Sequence, residues 1–185
     1  MARDYNETNC GEGFDLADLA LTGAQEKLIK AIHATGKPVI LVLVTGKPFS
    51  IAWEKKHIPA ILIQWYAGEQ EGSSIANILF GKTNPSGHLT VSFPQRSGHL
   101  TAYYNYLPTD RGFYHKPGSY EQPGRDYVFS SPGPLWAFGH GLTYTTFNYT
   151  DMQIQQSVDS IKVFVTVKNT GRWAGKAVTH LYVRD

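Results

Sequence analysis

The chain has 185 residues and a mass of 20.6 kDa, room for one full domain or one domain and part of a second. A net charge of +2, from 17 basic and 15 acidic residues, removes the main compositional argument for nucleic-acid binding, and a charged content of 17% argues against charge-driven disorder. The longest apolar run, Val39 to Val44, is far too short to cross a bilayer, so no membrane partner is expected, and a single cysteine, Cys10, excludes an internal disulfide. The start, Met1-Ala-Arg-Asp-Tyr5, lacks the apolar core of a signal peptide. A soluble globular chain is expected.

Taken in order, Thr22 and Gln25 read as a capping box, and Leu28, Ile29 and Ile32 follow at helical spacing up to Thr35-Gly36 and Pro38. Val39 to Val44 is a continuous β-rich run of the kind found in strands covered on both faces. A short amphipathic segment, Ile51 to Lys56, leads to a second apolar run, Ala60 to Trp65. Glu69 to Phe80 reads as a helix, with Glu69 and Glu71 complementing its dipole and Gly81 at its end. After the turn Asn84-Pro-Ser-Gly87, a third short strand is predicted over Leu89 to Phe93. Strands alternating with helices argue for a mostly parallel sheet. Residues 95–149 lack periodicity yet hold 13 of the 24 aromatics, so the loop is expected to pack onto its own chain or to offer a sugar-stacking surface. Ile161 to Lys168 alternates with period two, and Ala177 to Val183 reads as a further strand. Two or three strands alone are marginal, so the sequence looks cut at its C-terminal end.

Several familiar signatures fail on spacing. Gly81-Lys82-Thr83 ends like a P-loop, but Ala76 stands where the first glycine is needed. Gly11 and Gly13 are followed by Leu16 rather than a third glycine, so there is no dinucleotide fingerprint. Gly72-Ser-Ser74 falls inside a predicted helix rather than on a strand-to-helix turn. The seven histidines show no metal-ligand spacing on one helix. Neither a metal nor an organic cofactor is expected. Asn6-Glu-Thr8 and Asn148-Tyr-Thr150 match the glycosylation pattern, which carries little weight without a secretory signal.

The N-terminal loop is more informative. Asp4, Glu7, Glu12, Asp15 and Asp18 oppose the single base Arg3. Crowded carboxylates raise one another's pKa, and a raised carboxyl can serve as general acid near neutral pH. Glu12, between Gly11 and Gly13 with Phe14 beside it, can be approached closely by a ligand. A solvated acidic loop capping the next helix accounts for the same residues, and spacing alone names no reaction.

Five blocks in order resemble one family. Glu7-Thr-Asn-Cys-Gly-Glu-Gly-Phe-Asp15 with Ala34-Thr-Gly-Lys-Pro-Val-Ile-Leu-Val-Leu43, then Trp65-Tyr-Ala-Gly-Glu-Gln-Glu-Gly72, Ile75-Ala-Asn-Ile-Leu-Phe-Gly81 and Asn84-Pro-Ser-Gly-His-Leu-Thr-Val-Ser-Phe-Pro94, are similar to the C-terminal α/β domain of glycoside hydrolase family 3. Pro134-Leu-Trp-Ala-Phe-Gly-His-Gly-Leu-Thr-Tyr-Thr-Thr-Phe147 resembles the family's link into a fibronectin type III-like domain. The resemblance implies a retaining glycosidase acting on β-linked glucosides or xylosides without a cofactor. An aspartate of an N-terminal barrel would be the nucleophile, and Glu12 the general acid/base, with Glu7 as the alternative. Trp65 and Tyr66, at the end of a strand where α/β ligands bind, are the candidate substrate contacts. Ser73 and Thr90 depart from the family's usual glycine and proline without touching this chemistry.

The implied architecture is a three-layer α/β sandwich with an incomplete, mostly parallel sheet, followed by the first strands of a β-sandwich. Its parts are an α/β domain over 1–94 lacking its N-terminal portion, an aromatic-rich connector over 95–146 and a partial fibronectin type III-like domain over 147–185. No Ser-Asp-Trp nucleophile motif occurs in the chain, so its partner would be the N-terminal barrel, or a separate chain supplying it, and the chain alone should be inactive. A non-catalytic carbohydrate- or partner-binding module and one half of a split glycosidase are the alternatives. A periplasmic or secreted parent fits the resemblance.

Overall fold

The computed structural model describes residues 16–99, 103–105, 121–122 and 133–183. The chain divides into two compact units, one of residues 1–68 with 90–138 and one of residues 69–89 with 139–185. No helix among the described residues is long and apolar enough to cross a membrane.

The first unit is built on a βαβ crossover. Helix α1 spans Gln25–His33 and stops where Gly36 turns back at φ 71°, with the Thr35 hydroxyl donating to the Ile32 carbonyl at 2.7 Å. The expected capping box does not form. Gly23, at φ 60°, and Ala24 intervene, so Thr22 lies two residues before the N-cap and its hydroxyl accepts from the Gln25 side-chain amide at 3.3 Å instead. Strand β1, Ile40–Val44, pairs in parallel with β2, Ala60–Gln64, in register Ile40 to Ala60 through Val44 to Gln64. The short helix α2, Ala52–His57, lies in the connection that parallel pairing requires.

Leu43, Phe49, Ile51, Ile58, Phe93 and Leu135 form the buried apolar set, all within this unit. Ile51 and Phe93 are fully enclosed. Phe93 takes the Trp136 ring edge-on at 5.9 Å and lies 6.1 Å from the Trp65 ring, while Tyr104 stacks on Phe138 at 4.2 Å. These aromatics of the connector therefore pack on their own chain, and most of the remaining connector lies outside the described residues.

Leu89 to Phe93 is not a strand of the parallel sheet. Phe93 instead exchanges two backbone hydrogen bonds of 2.8 Å with Leu135 and Trp136 as an isolated antiparallel bridge, and Pro94, which has no N–H, cannot extend that ladder.

In the second unit, a 3₁₀ turn at Gly68–Gln70 precedes helix α3, Glu71–Leu79, which ends at Gly81 with φ 70°. Leu89 donates to the His140 carbonyl at 2.8 Å and accepts from the Gly139 N–H at 2.7 Å. Strands β3, Phe147–Gln156, and β4, Ile161–Asn169, form an antiparallel hairpin closed by Ser157 and Ser160. A bulge between Thr150 and Gln153 places Asp151 at φ 55°. Ala177 to Val183, expected as a strand, is irregular. Residues 179–181 line, together with Met152, Val163 and Val165 of the hairpin, a trough of about 480 Å³.

Candidate active-site elements

Glu12 and Glu7 lie outside the described residues. A clasp holds the chain at Asp18 and Leu19. The Ser97 hydroxyl donates to Asp18 Oδ1 at 2.5 Å, the Ala20 N–H donates to the same oxygen at 3.0 Å, and the Leu19 N–H donates to Ser97 Oγ at 2.9 Å. The Leu19 carbonyl accepts from the Ser50 N–H at 2.7 Å. Leu19 and Asp18 are thus held by Ser97 and Ser50.

The same clasp reverses an expectation at Asp18. Crowding among acids was expected to raise their pKa, but the Ser97 hydroxyl foremost, with the Ala20 N–H, holds the Asp18 carboxyl below its ordinary value, desolvation opposing only weakly. Asp18 is therefore an anchoring anion rather than a proton donor.

Trp65 and Tyr66 follow directly on β2, at the C-terminal end of the parallel pair. Trp65 is half-buried, turned to Phe93, whereas Tyr66 is 48% exposed. Beside Tyr66 the β1 strand ends in a tight turn. Buried Thr45 donates its hydroxyl to the Lys47 carbonyl at 2.7 Å and accepts from the Lys47 N–H at 2.9 Å. A Cβ on Gly46 would lie 2.7 Å from Tyr66 Cε2, so the bare backbone of Gly46 is what seats the tyrosine ring. Gln25, Thr45, Lys47 and Tyr66 border a cavity of about 50 Å³ there, with room for a few waters or a hydroxyl group.

Glu54 is the acid that sequence reasoning missed. It is only 2% exposed, and its Oε1 and the Ser50 hydroxyl, one turn earlier, are both buried with no hydrogen-bond partner among the described residues. Followed by Lys55 and Lys56, it reads as one more surface charge, and no periodicity marks it as inward-facing. Lys55 is the residue that turns, donating to the Leu135 carbonyl with its ammonium 5.2 Å from the Trp136 ring centre. Among the described residues, no group of three or more His, Cys, Asp or Glu side chains converges to hold a metal ion.

A family model described as the glycosyl hydrolase family 3 C-terminal domain matches residues 3–144, a span that includes Glu12 and the ends of both parallel strands. The chain belongs to glycoside hydrolase family 3, as part of its C-terminal domain. It is 42% identical over 95% of its length to a beta-xylosidase of Formosa agariphila, and 38% identical over 94% to a periplasmic beta-glucosidase of Salmonella typhimurium. It spans only 24% and 23% of those two relatives.

Solved structures agree. A β-glucosidase from Erythrobacter marinus superposes with a TM-score of 0.76 at 43% identity, covering 88% of this chain and 20% of that one. A β-glucosidase from Listeria innocua gives 0.79 at 33% identity, covering 89% and 23%, and a second structure of it, in complex with glucose, gives 0.77.

Proposed function

We propose that the chain is the C-terminal part of a retaining β-glycosidase that hydrolyses terminal β-glucosides or β-xylosides, with Glu12 as its general acid/base. The reading is supported by the family match, whose span over residues 3–144 includes Glu12, and by relatives matched over nearly the whole chain that are named for these two activities. Glu12, as the acid, gives its proton to the glycosidic oxygen while a carboxylate of the barrel attacks the anomeric carbon and the leaving alcohol departs. The ionised Glu12 then takes a proton from water, which displaces the barrel carboxylate and releases the sugar. Tyr66 offers a half-exposed ring and Trp65 a partly covered one at the strand ends, where a sugar or the barrel would contact them.

In the same reading, residues 1–94 belong to a three-layer α/β sandwich, 95–146 are its connector, and β3 with β4 opens a fibronectin type III-like domain over 147–185. The β-linked glycoside and the barrel, on the same or a separate chain, are the partners. Retaining chemistry needs two carboxyl groups about 5 Å apart, and only one is proposed to lie here. The purified chain is therefore expected to release no nitrophenol from aryl β-glucoside or β-xyloside. Turnover lost in Glu12→Gln would place the nucleophile within these residues and overturn the division of labour.

A further inference from the structure

We propose that His33 and His57 form a two-histidine site for a borderline divalent transition-metal ion, of the zinc, nickel or copper kind, tying α1 to α2. His33 is in the last turn of α1 and His57 ends α2. Their ring centres are 5.8 Å apart with the planes at 78°. With a metal–nitrogen bond of about 2.1 Å and the ring centre roughly 1.1 Å beyond, two imidazoles on one tetrahedral ion have centres about 5.2 Å apart. The observed separation is about half an ångström longer than this.

The tautomer is also set. His57 Nδ1 lies 2.7 Å from the Trp53 carbonyl, so that nitrogen carries the proton and Nε2 keeps its lone pair, the arrangement by which a carbonyl usually orients a metal-ligating histidine. Half-buried Trp53 walls the pair on one side, stacked on His57 at 4.3 Å and edge-on to His33 at 5.4 Å. Both rings stand at helix C-termini, where the carbonyl ends of the dipoles favour a cation. The ammonium of Lys30, 5.2 Å from the Trp53 ring centre, is held by Glu26 at 2.5 Å, which offsets its charge. Two protein ligands leave the remaining positions to water, and imidazole selects these ions over magnesium.

The test is a titration of the whole chain with Cu²⁺ and Ni²⁺, with Mg²⁺ as control. We expect one equivalent of Cu²⁺ or Ni²⁺, weakened roughly tenfold or more by either His33→Gln or His57→Gln and unchanged in His180→Gln. On the unsubstituted chain, sub-stoichiometric Cu²⁺ should broaden the ring resonances of His33 and His57 together and before those of other histidines, a result independent of how the variants fold. Binding that survives both single substitutions, equal binding of Mg²⁺, or broadening that begins at another histidine would overturn the site.

Discussion

Asp18 and Ser97 hold the chain where the acidic loop meets the first unit, and their chemistry can be read by titration. Because the folded-state pKa of Asp18 is depressed below 3.8, its contribution to stability is present above that value and is lost as the pH falls through the folded pKa. Ser97→Ala removes the leading cause and should move the Asp18 carboxyl resonance toward a midpoint of 3.8, while freeing the Leu19 N–H to exchange faster. An unchanged Asp18 midpoint would mean that the Ala20 N–H alone sets it. At this scale the sequence was a partial guide. Glu12 is singled out by its glycine neighbours and by a family motif, both local in sequence. The partner of Asp18 lies 79 residues away and that of Trp65 is Phe93, pairings that only the folded chain reveals.

Among the elements, Asn84 does most to organise the second unit. Its Oδ1 accepts from the Thr143 hydroxyl at 2.6 Å and the Tyr144 N–H at 2.7 Å, and its Nδ2 donates to the Ala174 carbonyl at 2.9 Å. One side chain thus ties the turn after α3 to the segment entering β3 and to the loop after β4. Asn84→Ala should cost about 1–3 kcal/mol, seen as a lower urea midpoint and faster exchange of the Tyr144 amide. Retained protection at Tyr144 would show that the loops hold without it. Helices α1 and α3 and strands β1, β2 and β4 were legible because each carries its own pattern, such as helical spacing in α1, an unbroken apolar run in β1 and β2, and alternation in β4, whereas α2 was read only as a short amphipathic segment and β3 not as a strand. The two misread strands, Leu89 to Phe93 and Ala177 to Val183, have the same alternation. A strand also needs a partner edge, and that depends on residues far off in sequence and on the donor that Pro94 lacks.

For the whole molecule, the parallel pair with its crossover is the part of the architecture that patterning foretold, whereas the antiparallel hairpin pairs β4 with β3 rather than with the expected strand at 177–183. The proposal of a larger catalytic assembly rests on the ordered motif blocks and on the share of the two relatives that the chain spans, under a quarter of each. No arrangement of one carboxyl performs a two-carboxyl reaction, so the central claim concerns what Glu12 does when the other is supplied. The most direct measurement joins or mixes the chain with the barrel domain of a family 3 relative and compares Glu12→Gln with the unsubstituted form, with and without azide. Turnover is expected only in the presence of the barrel. A fall of about 10²–10⁴ is expected in Glu12→Gln on poor leaving groups, and recovery on an activated aryl glycoside when azide replaces water. Undiminished turnover in Glu12→Gln, or azide rescue confined to Glu7→Gln, would contradict the role of Glu12.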